Sequence, residues 1–321
     1  MKIVPDKNIF MTKYFNFPLD AKTKNIIIAV SGYESRSTEF IKRYLNNLHN
    51  KDFEHLILGF DNYKDLHSRH ENDLWYINNK FEIEEIKISE VQKLKDLLLN
   101  KIRSIISNEY TKINIHVDYS CMPRNWYCNI PKYLLQCNGV TIDLIMWYTQ
   151  GIYSDTEYPT AGISDFSRFS GYPSLNPFKR HHIFSLGFDN IRTYAIYRVL
   201  DPDSLLCVIA KRNKYLQKVY DDNKEIISQA DFVINLPIND FVVSFSRIIE
   251  IIKSLPKNHD VILVPDGPKP FILAFSLIPE FIDQMGITCL HVARRHVADI
   301  QPTNVLPDLS EEIIGVKLIN Y

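Results

Sequence analysis

The stretch VILVPDGPKPFILAF, residues 261–275, reads as a buried strand that runs through a short turn into a helix. Its apolar run up to Val264 is typical of a parallel strand that is buried on both faces. Pro268 and Pro270 suit the start of the helix, because the first N–H groups of a helix have no intrahelical partner. A strand followed by a turn and a helix is the repeating unit of a parallel α/β sheet, so this stretch predicts that class of fold.

The same unit occurs at a matching place in the first half of the chain. Residues 112–124, KINIHVDYSCMPR, again join an apolar run to a helical pattern. Three pairs of identical residues keep one common spacing between the halves: Asp118 and Asp266, Pro131 and Pro279, and Gln136 and Gln284. A further correspondence joins 24–36, KNIIIAVSGYESR, to 181–192, HHIFSLGFDNIR, since each runs from an apolar strand through Gly, an aromatic residue and an acid to an arginine. Such self-similarity is the signature of a repeated unit.

We therefore predict an α/β protein of two tandem Rossmann-like domains, each a doubly wound and mainly parallel sheet, that arose by duplication. We place the first domain at 1–150 and the second at 181–321. The segment 151–180 between them is rich in Pro, Gly and aromatic residues, and we interpret it as a linker that packs down. The residues after 297 contain two prolines and a glycine and are expected to form a tail that wraps the second domain.

Composition and charge exclude several classes of protein. The chain has 321 residues, of which 45% are hydrophobic and 23% charged, as is ordinary for a globular protein. Its net charge of −1 creates no overall field that would attract an extended nucleic acid or an anionic membrane. No apolar run approaches the ~20 residues of a membrane span, and the N-terminus lacks the apolar core of a signal peptide. We expect a cytoplasmic protein without a membrane partner.

The motifs of several well-known chemistries are absent from the sequence. The chain contains no GxGxxG after its first strand, no GxxxxGK[ST] loop, no GxSxG, no HExxH and no EF-hand loop. Its five cysteines form no CxxC pair and its histidines show no metal-ligand spacing, so we expect neither disulfides nor a bound metal. The sequence indicates no particular cofactor.

Candidate site residues lie in the polar loops that follow the predicted strands. Ligands of parallel α/β sheets bind outside the carboxyl ends of the strands, so these loops should share one edge of each sheet. Arginine and lysine at this edge, together with helix N-termini, favour phosphate. The candidate ligand-binding residues are Arg36, Asp118, Ser120, Arg124, Asp189, Arg192, Asp266, Gly267, Lys269, Arg294 and His296.

The turn at 266–270 has two interpretations. A lysine at a helix N-terminus opposes the helix macrodipole by about 0.3–1 kcal/mol unless an anion joins it, which favours a binding role for Lys269. Gly267 would allow a positive φ or the close approach of a ligand. In the alternative the turn is purely structural, with Asp266 capping the helix and Lys269 in solvent.

Two features of the chain resemble known bacterial proteins. The DGPKP turn at 266–270 and the early GYESR turn at 32–36 resemble those of uncharacterised bacterial tandem Rossmann-like proteins. The two-copy layout is similar to that of the CARF and SAVED nucleotide sensors. The resemblance implies a protein that recognises a cyclic oligonucleotide messenger in a bacterial antiviral system. Such sensors usually carry a fused effector domain, for which this chain has no room, so a separate effector protein or self-association is implied.

Three functions remain open on the sequence alone. In the first, the strand-end loops of the two domains form one cleft that binds a phosphorylated, nucleotide-type ligand. In the second, this cleft hydrolyses or transfers part of a nucleotide at a glycosidic or phosphoester bond, with Asp266 or Glu34 as the base or nucleophile. In the third, the chain is a scaffold subunit whose loops bind another protein.

Overall fold

A computed structural model describes residues 9–14, 23–47, 53–61, 64–106, 112–137, 140–153, 162–282, 284–294 and 303–320. Its strands are β1 (Ile9–Tyr14), β2 (Lys24–Ser31), β3 (Phe53–Phe60), β4 (Ile83–Ile86), β5 (Lys112–Asp118), β6 (Thr141–Tyr148), β7 (Gly151–Ile152), β8 (Ile163–Tyr172), β9 (Arg180–Leu186), β10 (Ser204–Lys211), β11 (Phe232–Pro237), β12 (Asp260–Pro265), β13 (Ile287–Arg294), β14 (Leu306–Pro307) and β15 (Ile314–Asn320). Its helices are α1 (Glu39–Asn47), α2 (Arg69–Asn78), α3 (Val91–Ile106), α4 (Arg124–Leu135), α5 (Asn190–Leu200), α6 (Asn213–Asp222), α7 (Lys224–Ile227), α8 (Phe241–Ser254) and α9 (Lys269–Phe281). A 3-10 turn at Ser35–Thr38 leads directly into α1.

The chain divides into two compact units. The first comprises Met1–Asp155 together with Thr303–Tyr321, and the second comprises Thr156–Pro302. Each unit has its own sheet and its own apolar core. The uninterrupted apolar runs that predicted central strands are buried, as in β2 and β12. Such runs suit a sheet that is covered on both faces by helices.

The sheet of the first unit has the strand order β1-β15-β6-β5-β2-β3-β4. Its strands from β6 to β4 in this order are parallel, whereas β15 is antiparallel to β6 and β1 is antiparallel to β15. Counted along the chain, the parallel strands follow the order 3-2-1-4-5 that is typical of Rossmann sheets. Helices α1 to α4 supply the crossovers that parallel strands need.

The sheet of the second unit has the order β11-β10-β9-β12-β13-β8. Its first five strands in this order are parallel, and β8 runs antiparallel to β13 at the edge. Counted along the chain, these parallel strands also follow the order 3-2-1-4-5. The prediction of an α/β fold with two tandem Rossmann-like sheets is confirmed, and their common strand order is the arrangement that a duplication would produce.

The chain's last strand belongs to the first unit, which differs from the tail predicted to wrap the second domain. Residues 314–320 form β15, which lies between β6 and β1 in the first sheet. Val316 and Leu318 alternate with more exposed positions, as a strand pattern requires. Gly315 counted against regular structure in the sequence, but here it packs against Trp147, where a Cβ atom would lie 2.5 Å from the ring.

The predicted linker also contains regular structure. Residues 163–172 form β8, the edge strand that pairs with β13, and residues 151–152 form β7 in the first unit. Phe166 packs against the apolar core of the second unit, and Phe169 lies against His291 with ring centroids 4.6 Å apart, so the aromatic residues of this segment pack on the sheet of the second unit. The part of the linker at 154–161 lies outside the described residues.

Helix α9 is buried on nearly all sides, with every residue from 270 to 278 removed from solvent. It packs against α8 and against strands β8, β12 and β13. This burial fixes the position of Lys269, the first residue of the helix. Among the described residues, neither α9 nor another helix combines the length and apolarity needed to cross a membrane.

Candidate functional site

The loops at the carboxyl ends of the parallel strands carry most of the predicted site residues. In the first unit these are Glu34 and Arg36 after β2, Asp118 and Ser120 at the end of β5, and Arg124 at the start of α4. In the second unit they are Asp189 and Arg192 after β9, Asp266 and Gly267 after β12, and Lys269 at the start of α9. Arg294 ends β13, but its side chain and the whole of His296 lie outside the described residues.

Arg36 is buried in the first unit, with 1% of its surface exposed. Its Nε donates to the Glu34 carboxylate at 2.6 Å, and its Nη1 donates to the Thr149 carbonyl at 2.9 Å. Nη1 also donates to the Tyr148 hydroxyl at 3.3 Å. Burial by itself would lower the pKa of Arg36, but the charge of Glu34 and the neighbouring tyrosines raise it well above its ordinary value. The charged guanidinium thereby joins the loop after β2 to the chain that follows β6.

Arg192 holds the corresponding place in the second unit and is also 1% exposed. Its Nη1 donates to one carboxylate oxygen of Asp266, and its Nη2 donates to the Val292 carbonyl at 2.7 Å. The Thr193 hydroxyl donates to the other carboxylate oxygen of Asp266 at 2.7 Å. The loops after β9 and β12 are thus joined to each other and to β13.

Each unit therefore uses an arginine from the start of its first crossover to hold the end of its fifth parallel strand. From the sequence we expect Arg36 and Arg192 to contact phosphate, whereas the structure directs both side chains inward onto protein partners. Removing one member of a buried ion pair leaves an uncompensated charge and costs about 3–5 kcal/mol. We accordingly assign these two arginines to the framework of the site.

An asparagine from the second crossover fixes the first loop in each unit. In the first unit, Asn72 Nδ2 donates to the carbonyl of Gly32 at 2.8 Å and to that of Glu34 at 2.9 Å. In the second unit, Asn223 Nδ2 donates to the Gly187 carbonyl at 2.8 Å. Neither asparagine is among the residues that the sequence predicts for the site. Their separations from the glycines differ, 40 and 36 positions, so no common spacing marks them.

The glycine after the first parallel strand lies against the loop after the fourth strand in both units. A Cβ atom at Gly187 would lie 2.7 Å from the Asp266 carbonyl oxygen, which leaves no room for a side chain. A Cβ atom at Gly32 would lie 3.1 Å from the Cβ of Cys121. The two loops therefore meet directly, and glycine permits the contact.

Gly267 takes part in this meeting of loops. Its N–H donates to the Ser185 hydroxyl at 2.9 Å, and a Cβ atom here would lie 3.0 Å from the Leu186 carbonyl. Among the described glycines, positive φ angles occur at Gly171 and Gly286. Gly267 thus lacks the positive φ that the sequence analysis allowed for, and its close approach is to β9.

Asp118 and Asp266 follow equivalent strands but do not hold the same place in their loops. Asp118 lies five residues before the N-cap Pro123 of α4, whereas Asp266 lies two residues before the N-cap Pro268 of α9. Asp118 is 2% exposed and accepts hydrogen bonds from the N–H and the hydroxyl of Ser120. The residues that share one spacing in the sequence thus belong to corresponding elements but do not occupy equivalent positions in the two units.

The helix starts at this edge differ in their capping. Asp189 caps α5 by accepting from the Arg192 N–H at 3.3 Å. At the 3-10 turn before α1, the Ser35 N–H donates to the side-chain oxygen of Asn304 at 3.0 Å. In both units, therefore, a side-chain oxygen of the protein accepts a hydrogen bond from a backbone N–H at the start of the first crossover.

Helices α4 and α9 lack a side-chain cap of this kind, and their first residues follow the same pattern in both units. Their N-cap residues are Pro123 and Pro268, whose side chains have no hydrogen-bond acceptor. The first helical residue after each proline is a cation, Arg124 in the first unit and Lys269 in the second, and both side chains are half-buried. The loop after the fourth strand thus carries a proline followed by a cation in both units.

Among the described residues, no group of three or more His, Cys, Asp or Glu side chains is placed to hold a metal ion. The fold and the site define the chain as a tandem Rossmann-like α/β protein. No protein-family model matches the chain, and no curated protein matches it in sequence.

Proposed function

We propose that the protein binds a phosphorylated, nucleotide-type ligand at the carboxyl edges of its parallel sheets. The observation that carries this proposal is the matched pair of helix starts, Pro123–Arg124 and Pro268–Lys269. The positive end of a helix macrodipole and a cation beside it both attract an anion, so each of these helix starts favours a phosphate group. That two units carry this arrangement at equivalent loops supports a common ligand chemistry.

The position of these helix starts supports a nucleotide rather than a simple anion. Open α/β sheets with this strand order bind nucleotides outside the carboxyl ends of their strands. In the second unit, the loops that border this region are held by the Asp266 carboxylate and by Asn223. A framework fixed before binding lowers the entropy lost when a ligand is bound.

Binding is favoured over catalysis by the contacts of the two candidate catalytic carboxylates. Both oxygens of Asp266 accept hydrogen bonds from α5, and the Glu34 carboxylate is paired with Arg36 at 2.6 Å. A general base or nucleophile at either position would first have to leave a buried partner. The hydrolase or transferase reading is therefore our second candidate, and the scaffold reading is the third.

We place this binding activity in the setting implied by the resemblance to CARF and SAVED proteins. In that setting the chain is a cytoplasmic sensor in a bacterial antiviral system, and a nucleotide messenger is its ligand. The response would then be passed to a separate effector protein or through self-association.

The first test is to purify the protein from its native cells, denature it and identify the released small molecules by mass spectrometry. We expect a nucleotide in stoichiometric amount. A mixture of a substrate and its product would instead favour catalysis. A protein that carries no small molecule but retains another polypeptide would contradict the proposal in favour of a scaffold.

The second test locates the site. We expect Lys269→Ala to weaken binding of the identified nucleotide by about 10- to 150-fold, because a hydrogen bond to a charged group is worth roughly 1.5–3 kcal/mol. Lys253→Ala, an exposed lysine in the last turn of α8, is the matched control. Unchanged affinity in Lys269→Ala, with both variants folded by circular dichroism, would contradict the assignment of the site to α9.

A further inference from the structure

The second sheet ends at β11, and this edge strand differs from the other edge strands of the two sheets. Among the described residues, β11 pairs with β10 and with no other strand. A strand that is paired on one side directs the N–H and C=O groups of every second residue outward, where they can pair with another chain. Proteins commonly block such an edge with charged side chains or bulges, so an edge strand that lacks them is open to pairing.

The other three edge strands all contain charged residues. β4, the strand of the first sheet that is equivalent to β11, carries the exposed Glu84 and Glu85. β1, at the other edge of that sheet, contains Lys13. β8 contains Asp165 and Arg168, and two register shifts interrupt its pairing with β13. These edges therefore carry the features that hinder pairing with another chain.

β11 has the sequence FVINLP and contains no charged residue. Phe232 is 70% exposed, whereas Leu236 near the other end of the strand is buried. Val233 and Ile234 are half-buried. Successive side chains of a strand point to opposite faces, so Phe232, Ile234 and Leu236 share one face of the sheet. The edge therefore combines exposed apolar surface with outward-directed backbone groups.

A second copy of the chain fits this edge, because two identical antiparallel strands are related by a two-fold axis perpendicular to their sheet and are self-complementary. Residues that lie opposite each other in such a pair share a face and contact one another. A register centred on Ile234 places this residue opposite its own copy and places Phe232 opposite Leu236 of the second copy. Both pairs are apolar, and apolar cross-strand pairs stabilise a sheet.

The charges beside the two ends of β11 complement each other in this arrangement. Asp231 directly precedes β11, and its carboxylate accepts from the Leu205 N–H at 2.9 Å. Lys211 ends β10 opposite Pro237, at the other end of β11, and both Asp231 and Lys211 are exposed. In the register centred on Ile234, Asp231 of one copy lies opposite Pro237 of the other and is in line with Lys211 of that copy, two strand spacings or roughly 10 Å away. The two-fold axis produces this attraction twice, whereas parallel strands in register would place like charges side by side.

We propose that two copies of the chain associate through β11, which pairs with its own copy in antiparallel orientation and joins the two second sheets into one continuous sheet. This inference does not depend on the proposed ligand, and it names a surface that the proposed function leaves unassigned. Interfaces that bury less than about 1,200 Å² are typical of weak complexes, and a single six-residue strand is a small contact. We therefore expect a dimer in reversible equilibrium with the monomer.

The first experiment is sedimentation velocity on the full chain, at protein concentrations up to several hundred micromolar. We expect a monomer–dimer equilibrium, which Phe232→Lys should weaken about tenfold because it places a charge against an apolar side chain of the second copy. Phe232 is exposed, so the variant should keep its fold, and circular dichroism checks this. The matched control is Ile77→Lys, at an exposed apolar position of α2 in the first unit, which should leave the equilibrium unchanged.

A second experiment tests the antiparallel register with two charge reversals, Lys211→Glu and Asp231→Lys. Each variant alone places like charges in line across the interface, so we expect each to dimerise about fivefold more weakly than the wild type. In an equimolar mixture, one copy of each variant restores both attractions, and the mixed dimer should regain the wild-type affinity.

Three results would overturn the inference. The first is a chain that stays monomeric at several hundred micromolar, whether or not it binds another protein. The second is a dimer that Phe232→Lys weakens no more than Ile77→Lys does. The third is a mixture of the two charge-reversal variants that dimerises no better than either variant alone.

Discussion

Arg192 and Asp266, 74 positions apart in the chain, form an ion pair that is removed from solvent at the carboxyl edge of the second sheet. The pair joins the loop after β9 to the loop after β12. In the first unit the equivalent arginine, Arg36, takes its carboxylate from Glu34 within its own loop. In both units, therefore, a charged arginine links the start of the first crossover to the end of the fifth parallel strand. The carboxylate that pairs with this arginine comes from a different loop in each unit.

This pair leads to a prediction about stability. Asp266→Ala removes the carboxylate that is paired with the buried Arg192 guanidinium, so we expect the free energy of unfolding of the second unit to fall by about 3–5 kcal/mol. Urea denaturation followed by circular dichroism measures the change. Asp221→Ala, at an exposed position in α6, should cost less than 0.5 kcal/mol, a value within the ~0.5 kcal/mol range of surface substitutions. An equal loss in both variants would contradict a special role for the pair.

Because of this ion pair, a loss of activity in an Asp266 variant has two possible causes. A protein with Asp266→Asn that no longer acts on a nucleotide could have lost its loop geometry rather than a catalytic group. The double variant Arg192→Met/Asp266→Ala separates the two cases, because removing both charges together avoids the uncompensated guanidinium. We expect it to be more stable than Asp266→Ala alone, and a double variant of equal or lower stability would contradict this account.

The two glycines of the first loops provide a matched pair for a second prediction. Gly187→Ala puts a methyl group 2.7 Å from a backbone oxygen, whereas Gly32→Ala puts one 3.1 Å from a side-chain carbon. The shorter contact forces a larger displacement of its neighbour, so we expect Gly187→Ala to lower the free energy of unfolding by about 1–3 kcal/mol and Gly32→Ala to lower it less. Denaturation of the two variants under one condition tests this order, and the reverse order would contradict it.

Much of the fold could be predicted from the sequence, because the spacing of apolar residues and the turn residues indicate the type and the limits of each helix or strand separately. The apolar runs of β2, β9 and β12 and the Pro-led start of α9 are visible in this way. The pairing of β15 with β6 was not predictable, because the strand and its partner lie far apart in sequence. Whether a strand such as β15 joins the first sheet or the second depends on which sheet has an edge strand that is free to pair with it.

The inward direction of the two arginines was hidden for a similar reason. Arg36 and Arg192 look alike in the sequence, and a cation after a strand is usually exposed. What buries Arg192 is Asp266 from another loop and the Val292 carbonyl, neither of which its local sequence reveals. By contrast, the binding role of Lys269 stays a prediction that rests on local sequence, because a cation at a helix N-terminus is visible from its own neighbours.

A third prediction concerns pH and the buried His182 in β9. Burial lowers the pKa of His182 to about 4, and its Nδ1 has no hydrogen-bond partner among the described residues. The unfolded chain, with a histidine pKa of about 6.5, takes up a proton between pH 7 and pH 5 that the folded unit does not. The stability associated with this group is therefore complete above about pH 6.5 and falls by about 2 kcal/mol on going to pH 5.

The variant His182→Leu isolates this contribution. We expect its unfolding free energy to fall between pH 7 and pH 5 by about 2 kcal/mol less than that of the wild type. His70→Leu, at an exposed position in α2, should leave the wild-type pH dependence unchanged. An unchanged pH dependence in His182→Leu would contradict a neutral, buried His182.

The last prediction concerns Asn304, whose side-chain oxygen accepts from the Ser35 N–H at 3.0 Å in the first unit. The neighbouring Val305 is buried, and its carbonyl accepts from the Ser35 hydroxyl at 3.3 Å. The chain before β15 thus covers the start of the first crossover, where Rossmann sheets commonly hold a phosphate. In the second unit the start of the first crossover is capped by Asp189, which belongs to the loop itself.

We expect Asn304→Ala to lower the free energy of unfolding of the first unit by about 1 kcal/mol, as the loss of a helix cap does. Asn304→Asp retains an acceptor at the same place and should keep most of the stability. Hydrogen exchange at the Ser35 amide gives a local readout, because the alanine variant should exchange faster while the aspartate variant should not. Equal exchange in the wild type and the alanine variant would show that the Asn304 side chain does not protect this N–H.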